Sequence, residues 1–264
     1  MPFVRANGID LYYELAGAGE RLLFISGTGA DLRRSPRLTD GSQFAAFEMV
    51  QYDQRGLGQS AVPEGPYTMR DYADDAAGLL DALDWDSALV LGVSFGGMVA
   101  QELALRHPAR VRRLVLACTS AGGGGGASYP LHELVGLEAQ SSLHTRLQLL
   151  DTRWDAAWRA DNPEMVAMLA EGFQLGGTEG RPAPGTLLQL EARRHHDTST
   201  RLAEIECPTL VCGGRYDGLA PPANSEFLAM TIPGAQLAFF DGGHLFMMQD
   251  AAAMPAMLSF LVAA

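Results

Sequence analysis

Residues 89–108 read LVLGVSFGGMVAQELALRHP, and this stretch decides the fold. An apolar run leads into Gly92-Val93-Ser94-Phe95-Gly96-Gly97, and a helical pattern follows that should end near Pro108. A serine in a Gly-x-Ser-x-Gly turn, between a buried strand and a helix, has the structural context of a nucleophile elbow. The alternative is a structural turn in which the serine only caps the helix.

Short apolar runs alternate with helical patterns along most of the chain. Asn7-Gly8 separates the two runs at the start and predicts a hairpin. Residues 68–84 predict an amphipathic helix that Thr68 and Asp71 begin with a capping box. The remaining apolar runs are LLFIS (22–26), FEMVQY (47–52), ALVLG (88–92), LVLAC (114–118), TLVCGG (209–214) and QLAFF (236–240). Strands that alternate with helices predict an α/β fold, with a mostly parallel sheet and helices on both faces.

One interval, residues 119–203, breaks this alternation, and we call it the inserted segment. It begins near a run of five glycines and continues with helical patterns that contain no clear strand. Trp154 and Trp158 are four residues apart, which predicts one shared helical face. We therefore predict a core made of residues 1–118 and 204–264, with residues 119–203 as a helical cap above the ends of the strands.

The composition argues against several classes of function. The formal net charge is −12 without a basic cluster, so we expect no nucleic-acid partner, because such binding depends on neutralising phosphates. All 19 cationic side chains are arginines, which excludes Schiff-base chemistry and the lysine of a P-loop. No run approaches the ~20 apolar residues of a membrane span, so no membrane partner is expected. Three cysteines without metal-ligand spacing indicate no disulfide framework and no metal site, which fits a reducing cytoplasm.

A nucleophilic serine needs a base, and the base needs an orienting carboxylate. Among the six histidines, His244 stands out because FFDGGHLF places it in a glycine-flanked loop after the last predicted strand. For the acid we predict Asp217, which follows the strand TLVCGG by a short loop. Asp241 is three residues from His244 but more plausibly shapes its own turn. The chain order is then Ser94, Asp217, His244, the order in which acid and base follow a nucleophile elbow of this kind.

The remaining site predictions concern the oxyanion and the substrate. The backbone N–H of Phe95 should face a developing oxyanion at the positive end of the helix. Thr28, in the glycine-rich loop SGTG after the strand LLFIS, is the second predicted donor. Trp154 and Trp158, with Leu245 and Phe246 beside the histidine, predict an apolar pocket for an uncharged or aromatic acyl group. The alternative is that these four residues only pack the cap.

Taken in order, the motifs SGTG, YDQRGLGQS (52–60), GVSFGG, GGRYDGLAP and GGHLF resemble the α/β-hydrolase superfamily. The chain is similar to the branch of 3-oxoadipate enol-lactonases and small-molecule carboxylesterases. That resemblance implies an eight-stranded sheet, a cap between strands six and seven, and the triad Ser94, Asp217 and His244. It also implies that Asp53 and Arg55 support the loop near the oxyanion hole. One departure is that many members have His-Gly where this chain has Ser26-Gly27.

These residues predict a serine hydrolase that cleaves a small carboxylic ester or lactone through an acyl-enzyme, without a cofactor or metal. Two alternatives stay open. The same scaffold serves carbon–carbon bond hydrolases and cofactor-free lyases, and it also serves non-catalytic small-molecule receptors. The expected partner is the small-molecule substrate. The sequence does not decide the oligomeric state, and a homo-oligomer is one of the alternatives.

Overall fold

The computed structural model describes residues 2–135, 137, 139–175 and 183–263, and in these residues eight strands form one sheet. The strands are β1 (Phe3–Ala6), β2 (Ile9–Ala16), β3 (Glu20–Ile25), β4 (Phe47–Tyr52), β5 (Ala88–Val93), β6 (Val111–Ala117), β7 (Thr209–Gly214) and β8 (Gln236–Phe240). Their spatial order is β1-β2-β4-β3-β5-β6-β7-β8. The pairs β1–β2 and β2–β4 are antiparallel, and every other neighbouring pair is parallel. The predicted mostly parallel sheet of an α/β-hydrolase fold is confirmed.

Helices cover both faces of the sheet. They are α1 (Met69–Ala82), α2 (Phe95–Arg106), α3 (Ala139–Leu150), α4 (Ala156–Asp161), α5 (Pro163–Leu175), α6 (Pro184–Arg194), α7 (Pro222–Thr231), α8 (Phe246–Gln249) and α9 (Ala253–Val262). One core cluster packs α1, α2 and α7 against the sheet, and a second packs α8 and α9 against its other face. None of the described helices is long and apolar enough to cross a membrane.

Local sequence signals explain most of the helix boundaries. The predicted capping box is present at α1, where the Thr68 hydroxyl accepts from the Asp71 N–H and the Asp71 carboxylate accepts from the Thr68 N–H. Helix α2 ends at Arg106, two residues before Pro108, whose ring disfavours a helical residue before it. The strand β5 is apolar throughout and buried except at Val93, its last residue, because it lies in the middle of the sheet with helices on both sides.

The inserted segment carries α3, α4, α5 and α6 between β6 and β7. The predicted shared helical face of Trp154 and Trp158 is wrong, since residues 145–161, TRLQLLDTRWDAAWRAD, do not form one continuous helix. Helix α3 ends at Leu150, and α4 begins only at Ala156, where the Asp155 side chain caps it by accepting the Trp158 N–H. Trp154 therefore precedes the helix that holds Trp158, although the two rings still stack, with 4.9 Å between their centroids. The division of the chain into a core and a cap with the bounds given above stays a prediction.

Candidate active site

Ser94 lies in a strained turn between β5 and α2. Its backbone has φ 56° and ψ −115°, a region that side chains larger than glycine's rarely occupy and that costs about 1–3 kcal/mol. Two hydrogen bonds hold it there. The Ser94 N–H donates to the Ala117 carbonyl at 2.8 Å, and the Thr119 hydroxyl donates to the Ser94 carbonyl at 2.8 Å.

The glycines of the motif are required by close packing around this turn. A Cβ on Gly96 would overlap the carbonyl oxygen of Ile25, the last residue of β3. A Cβ on Gly92 would overlap the carbonyl of Gly96 itself. The Gly-x-Ser-x-Gly pattern is thus what lets Ser94 stand at the end of β5 with the helix close behind it.

The structure brings Ser94, His244 and Asp217 into one hydrogen-bonded line. His244 Nε2 lies 3.0 Å from Ser94 Oγ, and His244 Nδ1 lies 2.8 Å from Asp217 Oδ2. The other carboxylate oxygen of Asp217 accepts the N–H groups of Leu219 and Ala220, both at 2.8 Å. With the carboxylate as acceptor at Nδ1, the proton of a neutral imidazole belongs on Nδ1. Nε2 is then free to accept the proton of the Ser94 hydroxyl.

Three loops at the carboxyl edge of the sheet supply these side chains. Asp217 follows β7, His244 follows β8, and Ser94 follows β5. The inserted segment contributes to the position of the histidine, because the His244 N–H donates to the carbonyl of Leu150 at the end of α3, at 2.6 Å. The residue before it, Gly243, lies against the same carbonyl, where a Cβ would overlap the oxygen.

The loop Ser26–Ala30, which we call the oxyanion loop, lies beside the elbow. The Ala30 N–H donates to the Gly27 carbonyl at 3.4 Å, which closes a turn around Thr28 and Gly29. A Cβ on Gly27 would lie 3.5 Å from the Cβ of Ser94, so the two loops are in contact. Within the described part of the chain the Thr28 N–H has no acceptor. The N–H of Phe95, the first residue of α2, likewise has none, as expected at a helix N-terminus.

Side chains of the segment after β4 hold this loop in place. Gln54 Nε2 donates to the Ser26 carbonyl at 2.7 Å and lies 3.4 Å from the Ser26 hydroxyl. Ser26 is the residue that stands where many proteins of the resembled family carry histidine. Asp53 accepts the N–H of Leu32 at 2.7 Å through one oxygen and the N–H of Gln59 at 2.8 Å through the other. Burial raises the pKa of the Asp53 carboxyl. Asp53 thus holds the chain at Leu32, two residues beyond this loop. Arg55, the other residue to which the resemblance gave this role, pairs with Asp75 of α1. Support of the loop by these two residues stays a prediction.

A cavity of about 470 Å³ opens at Ser94 and His244. Its wall is largely apolar and is built by the core and by the inserted segment together, since Leu131, Leu149 and Leu150 come from the latter. Other apolar lining residues are Phe24, Leu32, Leu38, Val93, Leu219, Leu245, Met247 and Met248. The guanidinium-bearing residues Arg34, Arg37 and Arg146 also line it. A pocket of this size takes a small organic molecule.

Of the four predicted substrate contacts, only Leu245 lines this cavity. Phe246 is fully buried in the core and stacks on Phe240, with 5.3 Å between ring centroids. Phe246 is the first residue of α8, and its side chain faces the sheet. The side chains of its neighbours Leu245 and Met247 face the cavity. Trp154 and Trp158 stack on each other, half-buried, and are absent from the described lining. The described cavity lining thus does not include these three aromatic residues, and their contact with a substrate stays a prediction.

No group of three or more histidine, cysteine, aspartate or glutamate side chains among the described residues could hold a metal ion. The three cysteines are free thiols, two of them buried. Burial raises the pKa of Cys212 to about 12, which keeps that thiol protonated at neutral pH. None of the three cysteines is among the described residues that line the cavity. Of the hydroxyl groups in that lining, only Ser94 has a histidine partner in the described chain.

The model of the alpha/beta hydrolase fold family matches residues 20–251 of this chain. The chain belongs to this family. The poly(3-hydroxyalkanoate) depolymerase of Ectopseudomonas oleovorans is 33% identical over 245 residues, which are 91% of this chain and 83% of that protein. The 2-hydroxymuconate semialdehyde hydrolase of Pseudomonas sp. strain CF600 is 33% identical over 261 residues, covering 94% and 88%.

Among solved structures, the enol-lactonase of Burkholderia xenovorans superimposes with a TM-score of 0.81 at 26% identity, covering 99% of this chain and 100% of that one. The resemblance drawn from the motifs is confirmed at the level of the superfamily. These three proteins are named as a depolymerase, a hydrolase and an enol-lactonase, and the names indicate different substrates. Family membership therefore shows a hydrolase, and the substrate has to be argued from the site.

Reasoning from the sequence missed two groups of residues at the site. The leucines of the inserted segment that line the cavity sit in helical patterns that do not distinguish a pocket wall from a packed interior. Gln54 and Gln189 contact the oxyanion loop, and Gln189 does so from 160 residues away along the chain. For Gln54 there was a weak indication of a role at the site, since this residue lies inside the motif YDQRGLGQS. For Gln189 there was none.

Proposed function

We propose that this protein is a serine hydrolase that cleaves a carboxylic ester or lactone with an apolar or aromatic acyl group through an acyl-enzyme. One observation carries the proposal: the hydrogen-bonded line from Asp217 through His244 to Ser94 ends at the floor of an apolar cavity. The triad, the oxyanion donors and ester chemistry are all part of this proposal. The family membership supports hydrolysis in general.

The proposed reaction begins when Ser94 Oγ attacks the carbonyl carbon and His244 Nε2 takes the hydroxyl proton. The carbonyl oxygen becomes an oxyanion, for which the N–H groups of Phe95 and Thr28 are the proposed donors. Such a donor is worth about 10²–10³ in rate. Asp217 holds the imidazole in the required tautomer and stabilises the imidazolium. Collapse of the intermediate expels the alkoxide, which His244 protonates, and the acyl group stays on Ser94.

In the second half, water takes the place of the alcohol. His244 removes a proton from the water, the resulting hydroxide attacks the acyl carbon, and the second intermediate expels Ser94 Oγ, which regains its proton from His244. The product acid then leaves. With a lactone, the alcohol remains attached to the acyl group, so a single hydroxy acid is released. The leucine and methionine wall of the cavity supports an apolar acyl group, because burying such a group gains about 25 cal/mol for each Å² removed from water.

The test is turnover of a panel of p-nitrophenyl esters with short, long and aryl acyl groups, together with lactones and a vinylogous diketone. We expect ester or lactone turnover that is highest for apolar acyl groups. Ser94→Ala should lower kcat on the order of 10⁶-fold. A fluorophosphonate should label Ser94, and peptide mapping distinguishes it from Ser26, the other serine in the cavity lining.

Three results would contradict the proposal. Turnover of the diketone alone would indicate a carbon–carbon bond hydrolase. Thermal stabilisation by ligands without turnover of any substrate would indicate a receptor. Labelling that persists in Ser94→Ala at the wild-type rate would show that Ser94 is not the nucleophile.

A further inference from the structure

Gln189 lies on α6 of the inserted segment and reaches the oxyanion loop. Its side chain is fully buried, and its Oε1 accepts the N–H of Gly29 at 2.9 Å. Because this N–H can only donate, the contact decides which end of the side-chain amide faces the loop. The opposite end, Nε2, is buried and has no hydrogen-bond partner among the described residues. Gln189 is therefore held at the loop by its acceptor oxygen alone.

That single hydrogen bond bears on the conformation of the turn. In the turn from Gly27 to Ala30, Gly29 occupies the third position with φ +69°, and Thr28 has no positive φ. This combination is a type II turn, which needs glycine at that position. The alternative type I turn keeps the same ends but rotates the peptide between Thr28 and Gly29 by roughly half a turn. The Gly29 N–H would then point away from Gln189, so the observed bond favours the type II form.

A second glutamine holds the other end of the loop. Gln54 Nε2 donates to the carbonyl of Ser26, and Gln54 is itself buried at 1% exposure. The two fixed groups, the Ser26 carbonyl and the Gly29 N–H, flank Thr28 on both sides along the chain. The Thr28 N–H, the proposed oxyanion donor, thus belongs to a short segment that is held by one glutamine from the core and one from the inserted segment.

We propose that Gln189 is a positioning residue that couples the inserted segment to the oxyanion hole, by holding the Gly29 N–H and with it the turn that carries the Thr28 N–H. The inference rests on the proposed function. Gln189 is not among the residues that line the cavity, so it acts through the loop and does not touch the substrate. A displacement of α6 breaks the bond and releases the Thr28–Gly29 peptide, so the adjacent Thr28 N–H is held less firmly in its position at the hole.

The test compares an aryl trifluoromethyl ketone with the matching methyl ketone. The first adds Ser94 Oγ to its carbonyl, the hydroxyl proton passes to His244, and the carbonyl oxygen becomes an alkoxide in the oxyanion hole. The second occupies the same cavity without this addition. We therefore compare the inhibition constant of the methyl ketone divided by that of the trifluoromethyl ketone. This ratio measures how strongly the oxyanion hole stabilises the alkoxide, because a general loss of stability or of pocket shape affects both ketones alike.

Gln189→Met keeps the length of the side chain and removes both the acceptor and the unpartnered donor. We expect it to lower the ratio and kcat by about 10- to 100-fold, with KM changed far less, because small misplacements of a catalytic group cost up to that much. Gln189→Glu retains an acceptor oxygen and should restore most of the ratio. Gln148→Met, at an exposed glutamine on α3, is the matched control and should keep the wild-type ratio.

Thermal unfolding verifies that each variant is folded. If Gln189→Met does not fold, Gln189→Asn makes the same comparison, because its shorter side chain withdraws the acceptor from Gly29. A folded Gln189→Met or Gln189→Asn protein with the wild-type ratio would overturn the proposal. If the wild-type protein and the Ser94→Ala variant each bind the two ketones equally well, the proposed function is overturned, and the role of Gln189 with it.

Discussion

Asp217 and His244 show how backbone groups prepare a reactive side chain. One oxygen of Asp217 is occupied by two backbone N–H groups, so only the other faces the His244 ring. The carboxylate is completely buried, where an acceptor without donors is costly, and the three donors that it receives satisfy and orient its oxygens. At the scale of single residues, the site therefore depends on how each polar atom is satisfied.

Replacing this carboxylate by an amide tests its role. Asp217→Asn can donate an N–H to His244 Nδ1, which favours the tautomer with its proton on Nε2, the atom that must accept from Ser94. We expect kcat for the best ester to fall by about 10⁴-fold, with little change in stability. Asp241→Asn is the control, since Asp241 is exposed and, among the described residues, its side chain pairs with Arg153. Equal losses in both variants would show that the acid has been assigned wrongly.

At the scale of elements, the strand–turn–helix unit of β5 and α2 concentrates close backbone contacts. Gly96 is in the first turn of α2, and the position of its missing side chain is occupied by the backbone at the end of β3. Helix propensity alone favours alanine over glycine by about 1 kcal/mol, so local and tertiary effects oppose each other at this residue.

Gly96→Ala decides which effect is larger. We expect destabilisation, because a methyl group that overlaps backbone forces the strand and the helix apart, and overpacking costs about 1–3 kcal/mol. Urea unfolding measures this, and turnover should fall as well because the added methyl group would also overlap the carbonyl oxygen of Ser26 in the oxyanion loop. Gly124→Ala is the control, since a Cβ there meets nothing within 4 Å. An increase in stability for Gly96→Ala would contradict the close packing described for the elbow.

At the scale of the whole molecule, a buried polar network joins the two ends of the inserted segment to the core. Gln101 donates to the carbonyl of Ser120 at 3.1 Å and accepts the hydroxyl of Thr198 at 2.6 Å. His196 Nε2 lies 3.1 Å from the same carbonyl, so it carries the proton, and Nδ1 is buried without a partner in the described chain. Burial lowers the pKa of His196 to about 4, and the charges of Glu102 and Asp197 offset this only in part.

This histidine makes the stability of the whole fold depend on pH. Its pKa is lower in the folded protein than the usual 6.5 of the unfolded chain, so the unfolded state binds the proton more readily. The stabilisation is fully present above about pH 6.5 and is lost as the pH falls from there towards 4, by about 2 kcal/mol at pH 5. Urea unfolding between pH 8 and pH 5 should show that His196→Gln, which retains a donor for Ser120, loses less stability than the wild type. Parallel pH profiles for the two proteins would contradict this assignment.

Much of the architecture was predictable because it depends on local pattern. Three kinds of signal act over only a few residues: the apolar runs, the capping box at Thr68 and the glycines around Ser94. Each of them favours one local conformation of the backbone. The order of Ser94, Asp217 and His244 along the chain predicted that they follow separate strands. Because parallel strands end at the same edge of the sheet, the structure brings these side chains together. Their catalytic roles remain predictions.

The contents of the inserted segment and of the pocket were decided only by tertiary structure. Helical periodicity says that one face is buried without saying against what. This is why Trp154, Trp158 and Phe246 were predicted to contact substrate, whereas leucines of the inserted segment line the cavity. The contact of Gln189 with Gly29 joins residues 160 positions apart, and no local pattern encodes such a pairing. By itself, the sequence determined which short elements form and in what order. The packing of distant elements decided the shape of the pocket and the support of the oxyanion loop, because those depend on contacts that no short stretch of chain contains.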